Sequence, residues 1–451
     1  MKLFGSSGIR GKFPEEISPE FCYEIGKAIG TNLPDHSKIV VATDTRLTRD
    51  VIKTSLVSGL MSVNVNVDDL NIIPTSILAY IVKKFDYDGG VMITASHNPP
   101  DFNGIKLWDK NGMAYSKNME NDIEIEYYNK KYNSVAWNTC GKFETQSTQI
   151  DTYIEDILSK INIQSDFKVL IDPGNGATSH IATSLFKEAG LQVESINDTF
   201  DGNFPNRNPE PKEETLKETI SILKKKDFDI AICFDGDGDR VVFCDQHGFI
   251  GYNEAISFIA RCKILNSKNT KVATTVETGY LLDKSIEDIG GTVIRGMVGD
   301  GNVAYLTKNN KATIGIEQVG HYIIPEIGYH PDVFYPALFL LENIDKISDI
   351  RDYFKKIPAL YYLKKSIDVQ NSAKYEIVNN IGIYLDNLKW NNVNSLDGIR
   401  IEFEDSWVLI RASGTQPMIR IIVESENNKD LNEHYKWGVE LVKKFIKQGA
   451  T

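Results

Sequence analysis

The sequence predicts an α/β chain that turns α+β in its last stretch. Three observations lead there. Apolar, β-rich runs alternate with helical segments along most of the 451 residues. Gly- or Asp-rich loops follow several of those runs. Beyond residue 357, three strand-like runs succeed one another with no helix between them. Strands that alternate with helices make βαβ units and mostly parallel sheets. Ligands usually sit in the loops at the C-terminal ends of such strands.

The first stretch offers a strand over 38–43, a helix over 50–61, and a strand over 90–94 that opens into Thr94-Ala95-Ser96-His97-Asn98-Pro99-Pro100. The second has a strand over 168–171, the loop Asp172-Pro173-Gly174-Asn175-Gly176-Ala177, a helix over 178–189, and strands over 192–196 and 230–234. The third has a strand over 271–276, the turn Glu277-Thr278-Gly279, a helix over 280–289 and a strand over 292–295. In the tail, strands over 398–403, 407–411 and 418–423 precede a helix over 430–446. Its apolar face is Leu431, Val439, Leu441, Val442 and Phe445. The expected domains are 1–146, 147–249, 250–356 and 357–451.

Composition narrows the function class. The chain is 41% hydrophobic and 25% charged, an ordinary globular profile. Its start lacks the apolar core of a signal peptide. No apolar run approaches the ~20 residues that span a bilayer. The five cysteines are scattered, with no CxxC pair, so a disulfide framework or structural zinc is not expected and a reducing cytoplasm is. The net charge of −12 argues against nucleic acid and anionic membranes as partners. An anionic substrate would need local clusters of Arg and Lys.

Four loops can carry chemistry. Ser96 stands at the mouth of a strand, as a covalent nucleophile would. His97 beside it and Lys106 ten residues on can exchange a proton. A plain polar turn is the competing reading, since Asn-Pro-Pro and Asn-Gly are turn dipeptides. The GxSxG elbow of serine hydrolases is missing. In Asp235-Gly236-Asp237-Gly238-Asp239-Arg240, three carboxylates spaced by glycines can converge on one hard cation such as Mg²⁺. An EF-hand would need Gly at Arg240 and Glu at Gln246. Gly315–His321 gathers Glu317, Gln318 and His321, groups suited to sugar hydroxyls. Arg411-Ala412-Ser413-Gly414-Thr415-Gln416-Pro417, with Arg420 beyond it, offers a cation, two hydroxyls and freed backbone N–H groups to a phosphate. The N-terminal Gly5-Ser6-Ser7-Gly8-Ile9-Arg10-Gly11-Lys12 misses the Walker A spacing but leaves Arg10 for a phosphate contact.

Together and in this order, GSSGIRG, TASHNPPDFNGIK, DGDGDR, EQVGH and RASGTQP resemble the α-D-phosphohexomutase superfamily over nearly the whole chain. The resemblance implies three α/β domains with mixed sheets and a C-terminal α+β domain around a central active-site cleft. It implies a phosphohexomutase that interconverts hexose 1-phosphate and hexose 6-phosphate through a phosphoserine enzyme and a hexose 1,6-bisphosphate. Ser96 would carry the phosphoryl group. Asp235, Asp237 and Asp239, with the serine phosphate, would hold one Mg²⁺ per chain. Lys106 would be the general acid/base, with Arg240 on the transferring group and Arg10 and His97 in support. Glu317, Val319 and His321 would face the sugar. Arg411, Ser413, Gly414, Thr415 and Arg420 would grip the non-reacting phosphate. The resemblance also leaves room for a homodimer.

Three positions depart from the family pattern. Val319 stands where Ser is common, Gln416 where Glu is usual, and Gly238 where Ala is common. The first two bear on substrate choice. The TASHNPP form favours phosphoglucomutase/phosphomannomutase activity, with phosphoglucosamine mutase the alternative suggested by Glu-Gln-x-Gly-His. A sugar-phosphate phosphatase and a non-catalytic sugar-phosphate binder are remoter readings. The separate phosphate loop argues against the first, and the intact Ser96 and aspartates against the second.

Overall fold

The computed structural model describes residues 3–5, 7–390, 392–414 and 416–449. They form two compact units. One comprises 1–255 with 319–349, the other 256–318 with 350–451.

The first unit opens with a six-stranded sheet of β1 (Ile9–Lys12), β2 (Lys38–Thr43), β3 (Asn66–Ile72), β4 (Gly89–Ile93), β5 (Phe102–Asp109) and β6 (Phe143–Thr145). Its order is β1-β5-β4-β2-β3-β6. β2 runs parallel to β3 and β4, and β5 returns antiparallel to β4. Ile39, Val40, Val41 and Ala42 are all buried. A strand covered on both faces reads as such a continuous apolar run. The helix Pro19–Thr31 begins where the Ser18 hydroxyl accepts from Phe21 N at 3.2 Å, with proline in its first turn.

A second sheet follows: β7 (Lys168–Asp172), β8 (Gln192–Ser195), β9 (Ile230–Phe234), β10 (Val241–Asp245) and β11 (Gly248–Phe249), in the order β11-β10-β9-β7-β8. β7 is parallel to β8 and β9, and β9, β10 and β11 form an antiparallel meander.

In the second unit, β12 (Lys271–Thr275) lies parallel to β13 (Thr292–Gly296) and to β14 (Ile314–Glu317). The short antiparallel pair β15 (His321–Ile323) and β16 (Pro331–Asp332) belongs to the first unit. The tail folds into an antiparallel sheet of β17 (Tyr361–Asp368), β18 (Val393–Asn394), β19 (Ile399–Glu402), β20 (Ser406–Ala412) and β21 (Met418–Ser425), ordered β17-β21-β20-β19-β18. Val408, Ile410, Ile421 and Val423 share a core with Ile381, Leu385 and Val442 from the helices Lys374–Asn387 and Asn428–Gly449.

The two sheets of the first unit, β1–β6 and β7–β11, are mixed, as the resemblance implied for the α/β domains, and the tail sheet is antiparallel. Two expected helices come out shorter. The helix expected over 178–189 is Ile181–Glu188. His180 takes a left-handed φ of 66°, and its N–H is drawn to Asp198 Oδ1 at 2.6 Å. The segment over 280–289 is an α-helix only to Ile286, then a 3₁₀ turn ended by left-handed Gly290. Among the described residues, no helix is long and apolar enough to cross a membrane.

Candidate active site

β4 hands the chain to the serine loop. Ser96 is buried and holds a left-handed φ of 49°. A residue with a side chain keeps that conformation only where its surroundings impose it. Here Arg46 does so. Its Nη2 donates to the carbonyls of Ser96 at 2.9 Å and Asn98 at 2.7 Å, and its Nη1 to that of Phe102 at 2.9 Å. Arg46 is itself fixed by Asp44 at 3.0 Å, and both are fully buried. Thr94 Oγ1 donates to Asp44 at 2.7 Å and accepts from Ser96 N at 2.7 Å. Burial pushes the Asp44 carboxyl above its ordinary range, against the pull of Arg46 and Thr94.

The aspartate loop between β9 and β10 meets that serine. Asp235, Asp237 and Asp239 are buried, and one carboxylate oxygen of each lies within 4.8 Å of the others. The Ser96 hydroxyl donates to Asp235 Oδ2 at 2.9 Å and lies 3.2 Å from His97 Nδ1. Asp235 Oδ1 accepts from the N–H groups of Asp239 and Arg240. Asp237 Oδ2 accepts from Thr75 Oγ1 at 2.8 Å and Lys106 Nζ at 2.7 Å, while Lys106 also reaches Asp239 at 2.5 Å. The loops close this tightly because position 236 is glycine. A Cβ there would sit 2.7 Å from the Ser96 carbonyl oxygen.

The electrostatics divide the carboxylates. Burial, then Asp239 and Asp237, hold the Asp235 carboxyl well above the usual range. Burial would raise Asp239 too, but Lys106, His321 and Arg240 hold it well below. Burial, then Arg240 and Arg10, push His97 down, so its imidazole stays neutral. Asp237 Oδ1 is buried with no hydrogen-bond partner. Three clustered hard oxygens and that uncommitted atom fit a divalent cation of the Mg²⁺ type.

The other expected residues divide between the units. Arg10 Nη1 donates to Asn98 Oδ1 at 2.9 Å, beside the serine. His321 heads β15 in the first unit, where its Nε2 accepts from Arg240 Nε at 3.2 Å and lies 3.3 Å from Asp239 Oδ1. Val319 also falls in the first unit. Glu317 ends β14 in the second, accepting from Gly299 N at 3.0 Å. Also in the second unit, Arg411 and Arg420 are cross-strand partners on β20 and β21. Ser413 N donates to Met418 O at 2.9 Å, and its hydroxyl accepts from Gln416 N at 3.2 Å. Gly414 leaves open space above the turn. Thr415 lies outside the described residues.

Sequence reasoning missed Asp44, Arg46 and Thr75 in the first unit. In the second it gave no role to Glu277, Lys374 or Asp397. Arg411 Nη1 donates to Glu277 at 3.0 Å, and its Nε lies 2.9 Å from Asp397 Oδ1. Lys374 Nζ donates to the Gln416 carbonyl at 3.2 Å. The fold supplies what the sequence did not show for Arg46: Asp44-Thr45-Arg46 leaves β2 where Ser96 leaves the parallel β4.

Four family models match the chain in order. They are the phosphoglucomutase/phosphomannomutase alpha/beta/alpha domains I (residues 1–134), II (151–248) and III (253–361), and the C-terminal domain (345–436). A Pyrococcus abyssi protein named "Probable phosphoglucosamine mutase" is 36% identical over 452 residues, covering 100% of both chains. The phosphoglucosamine mutase of Methanocaldococcus jannaschii is 36% identical over 99% of each. Among solved structures, a phosphoglucomutase/phosphomannomutase family protein of Burkholderia thailandensis shares the fold, with a TM-score of 0.87, 24% identity and 98% coverage of each chain. The chain thus belongs to the phosphoglucomutase/phosphomannomutase family of the α-D-phosphohexomutase superfamily, and it is a phosphotransferring mutase.

Proposed function

We propose that this mutase interconverts glucosamine 6-phosphate and glucosamine 1-phosphate. The observation that carries the reading is the 36% identity, over nearly the full length of both chains, with relatives named phosphoglucosamine mutase. The Glu-Gln-x-Gly-His string at 317–321 points the same way. These outweigh the TASHNPP form, which favoured glucose and mannose phosphates. The domain spans 1–146, 147–249, 250–356 and 357–451 then assign one loop to each domain.

Phosphoryl transfer depends on positioning and on charge stabilisation. Ser96 is the residue that carries the phosphoryl group. Its left-handed backbone, clamped by Arg46, aims the hydroxyl at Asp235. Asp235, Asp237 and Asp239 would hold Mg²⁺, which when bound neutralises charge on the phosphoryl oxygens. In the forward step the bond from phosphorus to Ser96 Oγ breaks and a bond to the sugar hydroxyl forms, giving a hexose 1,6-bisphosphate. Lys106, reaching into the aspartate cluster, exchanges the hydroxyl proton. Arg240, Arg10 and neutral His97 line the same centre. The bisphosphate turns over, its other phosphoryl returns to Ser96, and the isomer leaves. Arg411, Ser413, Gly414, Thr415 and Arg420 grip whichever phosphate is not reacting, and Glu317, Val319 and His321 contact the sugar.

A coupled assay on glucosamine 6-phosphate, glucose 1-phosphate and mannose 1-phosphate tests the substrate. We expect the highest kcat/KM on the glucosamine substrate. A higher value on glucose or mannose phosphate would restore the phosphoglucomutase/phosphomannomutase reading.

A further inference from the structure

The phosphate cradle of the second unit is built from more than its own turn. The segment after β12 lies on one face of the tail sheet. Val276, Tyr280 and Val298 pack there against Trp407, Leu409 and Ile422. Side chains alternate along a strand, so Arg411 on β20 and Arg420 on β21 share that face. Val408, Ile410, Ile421 and Val423 turn the other way, into the helix-covered core.

The segment is tied down along its length. Arg400 Nη1 donates to the carbonyls of Val276 at 2.7 Å and Thr278 at 3.0 Å. Tyr280 N donates to Glu424 Oε1 at 2.8 Å. Only glycine permits so close an approach: a Cβ on Gly279 would lie 1.8 Å from Glu424 Oε2.

This anchoring delivers the buried Glu277 carboxylate to Arg411. Its Oε1 accepts from Arg411 Nη1 at 3.0 Å, and its Oε2 from Lys364 Nζ at 3.2 Å. Asp397 meets the Nε edge of Arg411 at 2.9 Å, and its other oxygen is held by Val298 N at 2.9 Å. A guanidinium is a rigid planar fork, so the Glu277 hydrogen bond at Nη1 orients the whole group, and Asp397 adds an ion pair beside Nε. Burial would lower the Arg411 pKa, but the two carboxylates outweigh burial and raise it. Here the carboxylates beside the cradle arginine come from Glu277 and Asp397.

We propose that Glu277 is a positioning residue of the phosphate cradle, holding Arg411 in the orientation in which it receives the non-reacting phosphate of the substrate. The proposal rests on the reading of Arg411 as a phosphate ligand. A merely structural ion pair between two sheets would affect stability but not act on substrate binding through Arg411.

Steady-state kinetics on the full chain with glucosamine 6-phosphate separate the two. Glu277→Gln keeps the side-chain shape and removes the charge. We expect KM to rise roughly tenfold while kcat stays within about threefold, because the lost interaction serves a group that does not react. Glu277→Asp, which keeps the charge, should recover part of the affinity. In an Arg411→Ala background, Glu277→Gln should have no further effect, since residues that act through one another are not additive. Asp397→Asn should show the same split and the same dependence on Arg411, and it decides the matter if Glu277→Gln does not fold. An unchanged KM in the glutamine variant, or an effect that adds in full to that of Arg411→Ala, overturns the proposal alone. If Arg411→Ala itself leaves KM unchanged, the cradle reading falls and the proposal falls with it.

Discussion

A serine hydroxyl is a weak nucleophile until its surroundings activate it. On the proposed reading of Ser96 as the phosphoryl carrier, its activation would be divided among residues far apart in sequence. The Ser96 hydroxyl donates a 2.9 Å hydrogen bond to Asp235, and Arg46 fixes the backbone that aims it. Ser96→Ala should cut mutase turnover on the order of 10³-fold or more. Intact-mass measurement should show that the variant gains no phosphate from a hexose bisphosphate. Turnover near wild type would end the phosphoserine assignment. Arg46→Met removes the charge paired with buried Asp44 and strips donors from four loop carbonyls, those of Ser96, Asn98, Pro99 and Phe102. Removing one partner of a buried pair typically costs about 3–5 kcal/mol. Urea unfolding should show a loss of that order, and a loss below about 1 kcal/mol would show the clamp to be dispensable. Ser96 stood out only by its place at a strand mouth and by the family resemblance, whereas the three aspartates were legible because their spacing is itself chemical. Arg46 was not, because its work depends on which carbonyls the fold brings to it.

At the scale of elements, strands were read best. The runs over 38–43 and 230–234 coincide with β2 and β9, since a strand buried on both faces leaves a continuous apolar signature. The helix Phe334–Glu342 is apolar all round, with every residue from Phe334 to Leu341 buried, and so shows no amphipathic period to read. Its N-terminus depends on Asp332, whose Oδ1 accepts from Phe334 N at 3.0 Å and Tyr335 N at 2.8 Å, while Oδ2 accepts from Tyr153 at 2.6 Å. Burial, opposed by those hydrogen bonds, raises the Asp332 carboxyl to about 6 from 3.8. The sign follows from proton binding. Between those values the folded state holds a proton that the unfolded chain has released, so this group's contribution is lost as pH rises through the window. A shift of that size corresponds to about 3 kcal/mol above the window. Asp332→Asn keeps an acceptor for the helix N–H groups and removes the titration. Urea midpoints should fall less between pH 4 and pH 7 in the variant than in the wild type. An identical pH slope in the two proteins would contradict the assignment.

Over the whole molecule, a net charge of −12 opposes an anionic substrate at long range. That field is screened beyond about 10 Å at 0.1 M salt, so recognition falls to local sets of cations. One set, Arg10, Lys106 and Arg240, belongs to the first unit, and the other, Lys364, Arg411 and Arg420, to the second. The sequence divides the chain by its loops. The two units divide at 255/256, 318/319 and 349/350; the cut at 318/319 falls inside the expected span 250–356, because it follows contacts between residues distant in the chain. They give the site a testable division of labour. The serine and aspartate cluster is assembled wholly within the first unit, with Asp237 Oδ1 uncommitted. Cation binding should therefore depend on that unit alone. Asp237→Asn should weaken Mg²⁺ binding, measured by calorimetry, by tenfold or more, since a lost carboxylate removes both charge and a hard ligand. Arg411→Ala should leave Mg²⁺ affinity within about twofold while raising KM for the sugar phosphate, because it removes a grip on a group that does not react. A Mg²⁺ affinity that drops as steeply with Arg411→Ala as with Asp237→Asn would sink this partition.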